Sequence, residues 1–189
     1  DKAFRYCDFE TIEIPDSVAT IASCAFEYCN ALKSVKLPEN LNSIESGAFK
    51  YCGNLTEVIL PPALENISDN AFYGTGIREI RIPSSVKTIG NSAFAGCSKL
   101  NDVYTYTIEP TVITESTFST FATAKLYVPA TSFWNYYWDI GWSKFNQKNF
   151  VEFNEPYEYF YLNGDYVMND NTGYIEGKDD ENPDADLGP

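Results

Sequence analysis

The chain has 189 residues, of which 16% are aromatic, a formal net charge of −14 and no histidine. An acidic chain without a basic patch argues against nucleic acid or an anionic membrane surface as a partner, and no apolar run reaches the ~20 residues that span a bilayer. Without histidine the chain also lacks the usual general base and the histidine-dependent triads and zinc sites.

A single unit is repeated along most of the chain. The prolines that follow the first four predicted strands are spaced 23, 23 and 22 residues apart, at positions 15, 38, 61 and 83. Ala-Phe pairs recur at spacings of 22 or 23 residues, at 3–4, 25–26, 48–49, 71–72 and 93–94. A period of about 20–29 residues with one short strand per unit is typical of a leucine-rich repeat solenoid. One unit buries too few apolar side chains to offset its backbone entropy, so the coils must stack.

Residues 1–8 correspond to the second half of a repeat, because they contain Ala3-Phe4 and Cys7 without a preceding strand. Such an end exposes apolar surface and a strand edge. We therefore expect further repeats before Asp1, or a partner that packs against this end.

Six strands are predicted from the repeat, at 9–14, 32–37, 55–60, 77–82, 100–105 and 125–128. Alternation turns the fourth and sixth positions of each strand inward and the third and fifth outward. The outward fifth column consists of Glu13, Lys36, Ile59, Arg81, Tyr104 and Tyr127. One interpretation is a solvated sheet face with weak cross-strand ion pairs. The other is a binding face, because three apolar or aromatic side chains point outward on a rigid surface.

Four cysteines occur three residues after the repeated Phe, at positions 7, 29, 52 and 97. Stacked equivalents would lie ~4.8 Å apart, farther than the ~3.8 Å between the Cβ atoms of a disulfide. This spacing predicts a ladder of small buried thiols. Metal binding is disfavoured because the chain has no histidine and no Cys-x-x-Cys pair. Cys24 lies outside the pattern, and we expect it to be a more exposed free thiol.

Strand, Leu-Pro, Leu, Ile, Ala-Phe and then Cys, repeated about every 23 residues over 3–150, resembles the BspA-like leucine-rich repeats of bacterial and protist surface proteins. The resemblance implies secretion or surface anchoring and binding to host or neighbouring-cell macromolecules. It implies no particular ligand, no cofactor and no specific binding residues. Residues 124–150 resemble the C-terminal closing unit of such proteins.

A short helix is predicted in this closing unit, with Thr131 or Ser132 as its cap. Phe133, Tyr136, Tyr137 and Ile140 fall on one helical face that would cover the last coil. Trp134, Trp138 and Trp142 form a second stripe at four-residue steps. If the three indoles belong to the core, another segment must pack over them, and residues 157–161 would do so. As an open surface, its indoles would suit a sugar ring or a partner protein.

Residues 151–189 do not continue the repeat. Asn163-Gly164 between apolar runs at 157–162 and 165–168 predicts a β-hairpin, and a third strand is predicted at 173–176. Residues 152–189 contain eleven acids and one base, a net charge of −10, so the last stretch resembles a linker or tail. The acids lack the spacing of an EF-hand loop, which disfavours a calcium site.

Taken together, the sequence predicts an α+β leucine-rich repeat solenoid with a right-handed coil, one parallel sheet, a C-terminal capping helix and a small hairpin appendage. Its domains are 1–150, with the cap at about 124–150, and 151–189. The expected function is non-enzymatic binding of an extracellular protein or glycan at the cell surface. The alternative is a structural spacer or a glycan-binding accessory module that presents other domains. The candidate binding residues are Lys36, Ile59, Arg81, Tyr104, Tyr127, Trp134 and Trp138, and no cofactor or metal site is predicted.

Overall fold

The computed structural model describes residues 1–154, which form a parallel β-solenoid of about six turns. A typical coil has three sides: a sheet strand, a second and shorter strand, and a turn that carries the Ala-Phe pair. Each coil pairs in parallel with its neighbours, and the apolar side chains fill one continuous core along the axis. The predicted leucine-rich repeat solenoid is therefore confirmed.

The first side contains all six predicted strands. The first five are two to four residues shorter than predicted, and the last is one residue longer. The strands are β1 (Thr11–Glu13), β3 (Ser34–Lys36), β5 (Glu57–Val58), β7 (Glu79–Ile82), β9 (Asp102–Thr105) and β10 (Lys125–Pro129). Their register matches repeat-equivalent residues, such as Ile12 with Val35 and Ile80 with Val103. The sheet is divided between β5 and β7. This division coincides with the shortened connection between Phe72 and Ile77, which is one residue shorter than in most repeats.

A second ladder lies on another side of the coil, in addition to the single sheet that the sequence predicts. Its two-residue strands are β2 (Thr20–Ile21), β4 (Ser43–Ile44), β6 (Asn66–Ile67) and β8 (Thr88–Ile89). The isoleucine of each strand points into the core. Two residues contain only one step of alternation, too little for the pattern to be recognised as a strand.

The third side is the turn that contains the Ala-Phe pair. Backbone hydrogen bonds join successive turns, as from Phe26 N–H to the Ala48 carbonyl at 2.8 Å. The repeated Phe rings stack at centroid distances of 5.1 to 5.4 Å, in the order Phe4, Phe26, Phe49, Phe72, Phe94 and Phe118. Phe4, the first ring of this stack within residues 1–154, is 43% exposed.

The cysteine ladder is confirmed for the three inner positions. Cys29, Cys52 and Cys97 are fully buried, and all cysteines are free thiols. Each inner thiol donates to the carbonyl of the Phe one coil earlier, at 2.9 to 3.1 Å. Burial raises the pKa of Cys52 to about 12. Cys24 is half-buried and therefore more exposed than these three, as predicted.

The C-terminal cap contains the predicted helix, but the helix is only six residues long. Helix α1 is Phe133–Trp138, and short 3-10 turns follow at Trp142–Lys144 and Gln147–Asn149. Ser132 occupies the cap position, but its hydroxyl donates backwards to the Pro129 carbonyl at 2.8 Å and caps no helix N–H. The predicted place of Ile140 on the buried face is wrong: this residue lies beyond the helix end and is 87% exposed.

Strand β11 (Phe150–Phe153) adds one more strand to the sheet by pairing in parallel with β10. The sheet thus continues beyond the boundary predicted at residue 150. The predicted hairpin, the third strand at 173–176 and the acidic tail lie outside the described residues.

Candidate binding face of the sheet

Three of the candidate residues form one stacked column on the outer face of the sheet. Arg81, Tyr104 and Tyr127 are in register across β7, β9 and β10. The two tyrosine rings are nearly parallel, with centroids 4.0 Å apart. The Arg81 guanidinium lies 3.9 Å from the centroid of Tyr104, which is a cation–π contact. In-register parallel pairing places outward side chains one strand spacing apart, so the column follows directly from the repeat.

Neighbouring side chains hold this column in place. Arg81 Nε contacts Glu79 Oε1 at 2.6 Å, and its Nη1 donates to the Tyr106 hydroxyl at 3.0 Å. The Tyr127 hydroxyl donates to Asp102 Oδ1 at 3.1 Å. Such cross-links restrict the rotamers of these side chains, so little conformational entropy remains to be lost at this surface.

Phe153 borders the column from the edge strand. Its ring stands nearly perpendicular to those of Tyr104 and Tyr106, at centroid distances of 5.9 and 5.0 Å. Burial raises the pKa of Tyr104, with the Glu79 carboxylate adding to the shift. Burial also raises the pKa of Tyr127, helped by Tyr104 and Asp102. Both phenols therefore remain protonated hydrogen-bond donors at neutral and mildly alkaline pH.

The N-terminal part of the same column has a different character. Lys36 Nζ contacts Glu13 Oε1 at 2.6 Å, and both side chains are largely exposed. The hydrogen bond to Glu13 raises the pKa of Lys36, but such a surface pair contributes little to stability. Ile59 is 56% exposed beside the division of the sheet. These two candidates lie outside the aromatic cluster.

The two remaining candidates, Trp134 and Trp138, lie on helix α1 and are 64% and 74% exposed. The Tyr137 ring meets both indoles edge-on, with centroid distances of 5.3 Å to Trp134 and 4.8 Å to Trp138. Trp142 does not continue their stripe. It is fully buried, and its indole N–H donates to the Thr111 carbonyl at 2.6 Å. The predicted stripe of three indoles is thus wrong, and two exposed indoles form a separate patch.

Sequence reasoning missed two members of the sheet-face cluster. Tyr106 lies two residues after Tyr104, so strict alternation would have placed it on the same face. Phe153 had no such indicator, because β11 lies outside the repeat. Sequence reasoning also overlooked a Phe-x-Tyr pattern in three repeats, ending at Tyr6, Tyr28 and Tyr51, which could have indicated a further aromatic column on the turn side.

Residues 1–154 contain no cluster of three or more side chains suited to a metal ion. Within the same residues, no helix is both long enough and apolar enough to cross a membrane.

Bacterial leucine-rich repeat proteins are found among the solved structures, at low sequence identity. The pneumococcal vaccine antigen PcpA matches with a TM-score of 0.57 and 23% identity, over 79% of this chain and 41% of its own. A leucine-rich repeat protein from Bacteroides ovatus ATCC 8483 matches with a TM-score of 0.47 and 23% identity, over 62% of this chain and 39% of its own. A leucine-rich cell surface protein from Faecalibacterium prausnitzii A2-165 matches with a TM-score of 0.35 and 20% identity, over 64% and 55%. This chain spans less than two thirds of the length of each of them.

Among curated proteins, none matches this sequence. The profile of the BspA-type leucine-rich repeat region matches residues 1–137, in six copies. The match extends over more than half of the 189 residues and agrees with the stacked coils described above. The chain therefore belongs to the BspA-type leucine-rich repeat family.

Proposed function

We propose that this chain belongs to an exported, non-catalytic protein that binds an extracellular protein through the outer face of its sheet. The observation that carries the proposal is a cluster of five side chains: Arg81 on β7, Tyr104 on β9, Tyr127 on β10, Phe153 on β11, and Tyr106 directly after β9. Tyrosine and arginine, together with tryptophan, are enriched at the energetic centres of protein interfaces. The surface location rests on membership of the BspA-type family.

The cluster has the features of an anchor site rather than of an ordinary solvated sheet face. The rings of Tyr104 and Tyr127 are stacked, and burial raises the pKa of both phenols, which keeps them protonated. The Arg81 guanidinium is fixed between Glu79 and Tyr106. A partner would therefore meet an ordered, amphipathic surface at little entropic cost. Lys36 and Ile59 extend the same face and would contribute weaker contacts at its rim.

A protein array, followed by titration of each hit against the whole chain, tests this proposal. The double variant Y104S/Y127S should lose at least about 30-fold in affinity, as expected for hot-spot residues worth ~2 kcal/mol. The variant K87Q, which changes an exposed ion pair with Glu65 elsewhere on the solenoid, should bind as the wild type does. Unchanged binding by Y104S/Y127S would rule out the sheet face as the site.

A second candidate function is glycan binding, and the exposure of Trp134 and Trp138 favours it. Exposed indoles stack readily against the apolar faces of sugar rings. On a glycan array, the variant W134A/W138A should abolish any signal while leaving thermal unfolding nearly unchanged, because both side chains are mainly in solvent. Absence of binding by the wild type on both the protein and the glycan array would favour the alternative of a structural spacer.

A further inference from the structure

The turn side of the solenoid carries a second aromatic surface, which the proposed function does not use. The residue two positions after the repeated Phe has a left-handed backbone in five successive coils: Tyr6, Tyr28, Tyr51, Gly74 and Gly96, with φ between +62° and +73°. A non-glycine residue in this region costs about 1–2 kcal/mol. Glycine serves at the two later positions, so tyrosine at the three earlier ones is not required by the turn.

The tyrosines of this turn form a continuous strip, which we define as Tyr6, Tyr28, Tyr51 and Tyr73. The first three rings stack at centroid distances of 5.1 and 4.8 Å, and Tyr73 meets Tyr51 edge-on at 5.3 Å. Backbone hydrogen bonds between the turns fix this spacing, as from Tyr28 N–H to the Lys50 carbonyl at 2.9 Å. The tyrosine strip therefore repeats one phenol per coil along the axis.

Two cations lie over the tyrosine strip. The Arg5 guanidinium is 4.7 Å from the ring centroid of Tyr6 and 5.6 Å from that of Tyr28. Lys50 Nζ is 5.3 Å from Tyr51 and 5.6 Å from Tyr73. Arg5 also forms an ion pair with Glu27 at 2.8 Å. Lys50 has no carboxylate within ion-pair distance in the part of the chain that the structure describes.

The chemistry of the strip favours an anionic ligand. Tyr28 has a stacked ring on each side, Tyr6 and Tyr51, so it presents its edge, which carries the positive part of the aromatic quadrupole. Phenolic hydroxyls add donors, and the Lys50 ammonium adds a charge that no carboxylate of residues 1–154 neutralises by direct contact. Most of the net negative charge lies in residues 152–189, which carry −10 of the −14, so residues 1–151, which contain the strip, carry only −4.

The spacing of the strip distinguishes between extended polyanions. Side chains on one side of an extended peptide recur about every 6.6–6.8 Å, so acidic residues would fall out of register with rings about 5 Å apart. An extended 1,4-linked pyranose chain advances by nearly one coil per sugar and turns over at each step. Its carboxylates on one side therefore recur about every two coils, which is the separation of Arg5 from Lys50. We propose that the tyrosine strip binds an acidic polysaccharide that lies along the solenoid axis and carries one carboxylate per sugar.

Calorimetric titration of the whole 189-residue chain with oligomannuronate tests this inference. We expect salt-dependent binding of the oligomannuronate and no binding of a neutral cello-oligosaccharide of equal length. Polyglutamate of equal charge should bind at least about tenfold more weakly, a difference of about 1.4 kcal/mol. Equal or tighter binding of polyglutamate would assign the strip to acidic peptides, and absence of oligomannuronate binding would overturn the proposal.

The variant Y28G/Y51G places at both positions the residue that Gly74 and Gly96 already provide, so the turns keep a suitable backbone. It should remain folded and bind oligomannuronate at least about tenfold more weakly. K50Q leaves every ring in place and should also weaken binding, whereas its matched control K87Q should not. Wild-type affinity in both Y28G/Y51G and K50Q would overturn the proposal, whatever the outcome at the sheet face.

Discussion

Gly74 shows how the repeat constrains a single residue. Its φ is +70°, and a Cβ at this position would lie 2.9 Å from Cδ1 of Tyr51 in the preceding coil. The positive φ favours glycine here, although tyrosine adopts it in three earlier coils, and the ring of Tyr51 leaves little room for a Cβ. The sequence indicates a loop at this place, but the positive φ and the ring contact depend on how the coils stack.

We predict that Gly74→Ala lowers the free energy of unfolding by about 1–2 kcal/mol or more, because it adds the left-handed penalty and a clash. Gly53→Ala is the matched control, since a Cβ there meets nothing within 4 Å. It should change stability by less than about 0.5 kcal/mol. Urea unfolding of both variants measures the difference, and equal stability would contradict the contact with Tyr51.

The buried thiol of Cys52 makes stability depend on alkaline pH. Its pKa is raised to about 12, whereas an unfolded cysteine titrates near ~8.5. Above that pH the unfolded chain releases a proton that the folded chain retains, so the free energy of unfolding falls as pH rises. The decline should continue until the pH approaches the folded pKa.

Between pH 7.5 and 10, Cys52 should account for a loss of about 2 kcal/mol in the free energy of unfolding. Other groups titrate in the same range, so the comparison is between the wild type and C52S, which retains a donor toward the Phe26 carbonyl. Urea unfolding at the two pH values should give a smaller decline for C52S. Parallel declines in the two proteins would show that this thiol does not retain its proton.

At the scale of elements, the cap departs most from what the sequence predicts. The spacing of aromatic residues predicts one helix through Trp142, but α1 ends at Trp138. The Asp139 carboxylate accepts the backbone N–H groups of Gly141 and Trp142, at 2.9 and 3.0 Å, and so starts a separate turn. This turn buries Trp142 and leaves Ile140 in solvent. Helical periodicity alone does not detect such a break.

Tyr136 joins the cap to the last regular coil. Its hydroxyl bonds with Thr105 Oγ1 at 2.8 Å and donates to the Thr107 carbonyl at 2.9 Å, and burial raises its pKa to about 12. Tyr136→Phe should cost about 1–3 kcal/mol, because it leaves buried polar groups without this partner. Tyr137→Phe, whose hydroxyl forms no hydrogen bond within residues 1–154, should stay within about 0.5 kcal/mol. Thermal unfolding compares them, and equal effects would contradict the role of this hydroxyl.

At the scale of the whole molecule, the solenoid was predictable because the same residue types recur at equivalent positions in several units. Each outward position of the sheet recurs in several units, so the column of Arg81, Tyr104 and Tyr127 could be aligned from the amino-acid sequence alone. Phe153 could not, because β11 has no counterpart in the repeat. The exposure of Trp134 and the burial of Trp142 depend on one turn that occurs once. Prediction therefore fails where repetition ends.

Removing one complete coil should leave a folded protein. Deletion of 38–60 joins Leu37 to Pro61 and restores the Leu-Pro step. In a solenoid each coil contacts mainly its neighbours, so unfolding should remain cooperative, with the urea m value reduced by about a seventh. Deletion of 38–49 removes half a coil and should prevent folding, because the remaining inward positions fall out of register. A folded half-coil deletion, seen by circular dichroism, would contradict the repeat boundaries.

The whole fold depends on the alignment of equivalent side chains in neighbouring coils. The most direct measurement is a nuclear Overhauser spectrum of a sample with selectively labelled Phe rings. Because successive centroids are 5.2 to 5.4 Å apart, we expect ring-to-ring contacts from Phe26 to Phe49, from Phe49 to Phe72 and from Phe72 to Phe94. Rings that contact other partners, or that are accessible to a dissolved paramagnetic probe, would contradict the stacked solenoid.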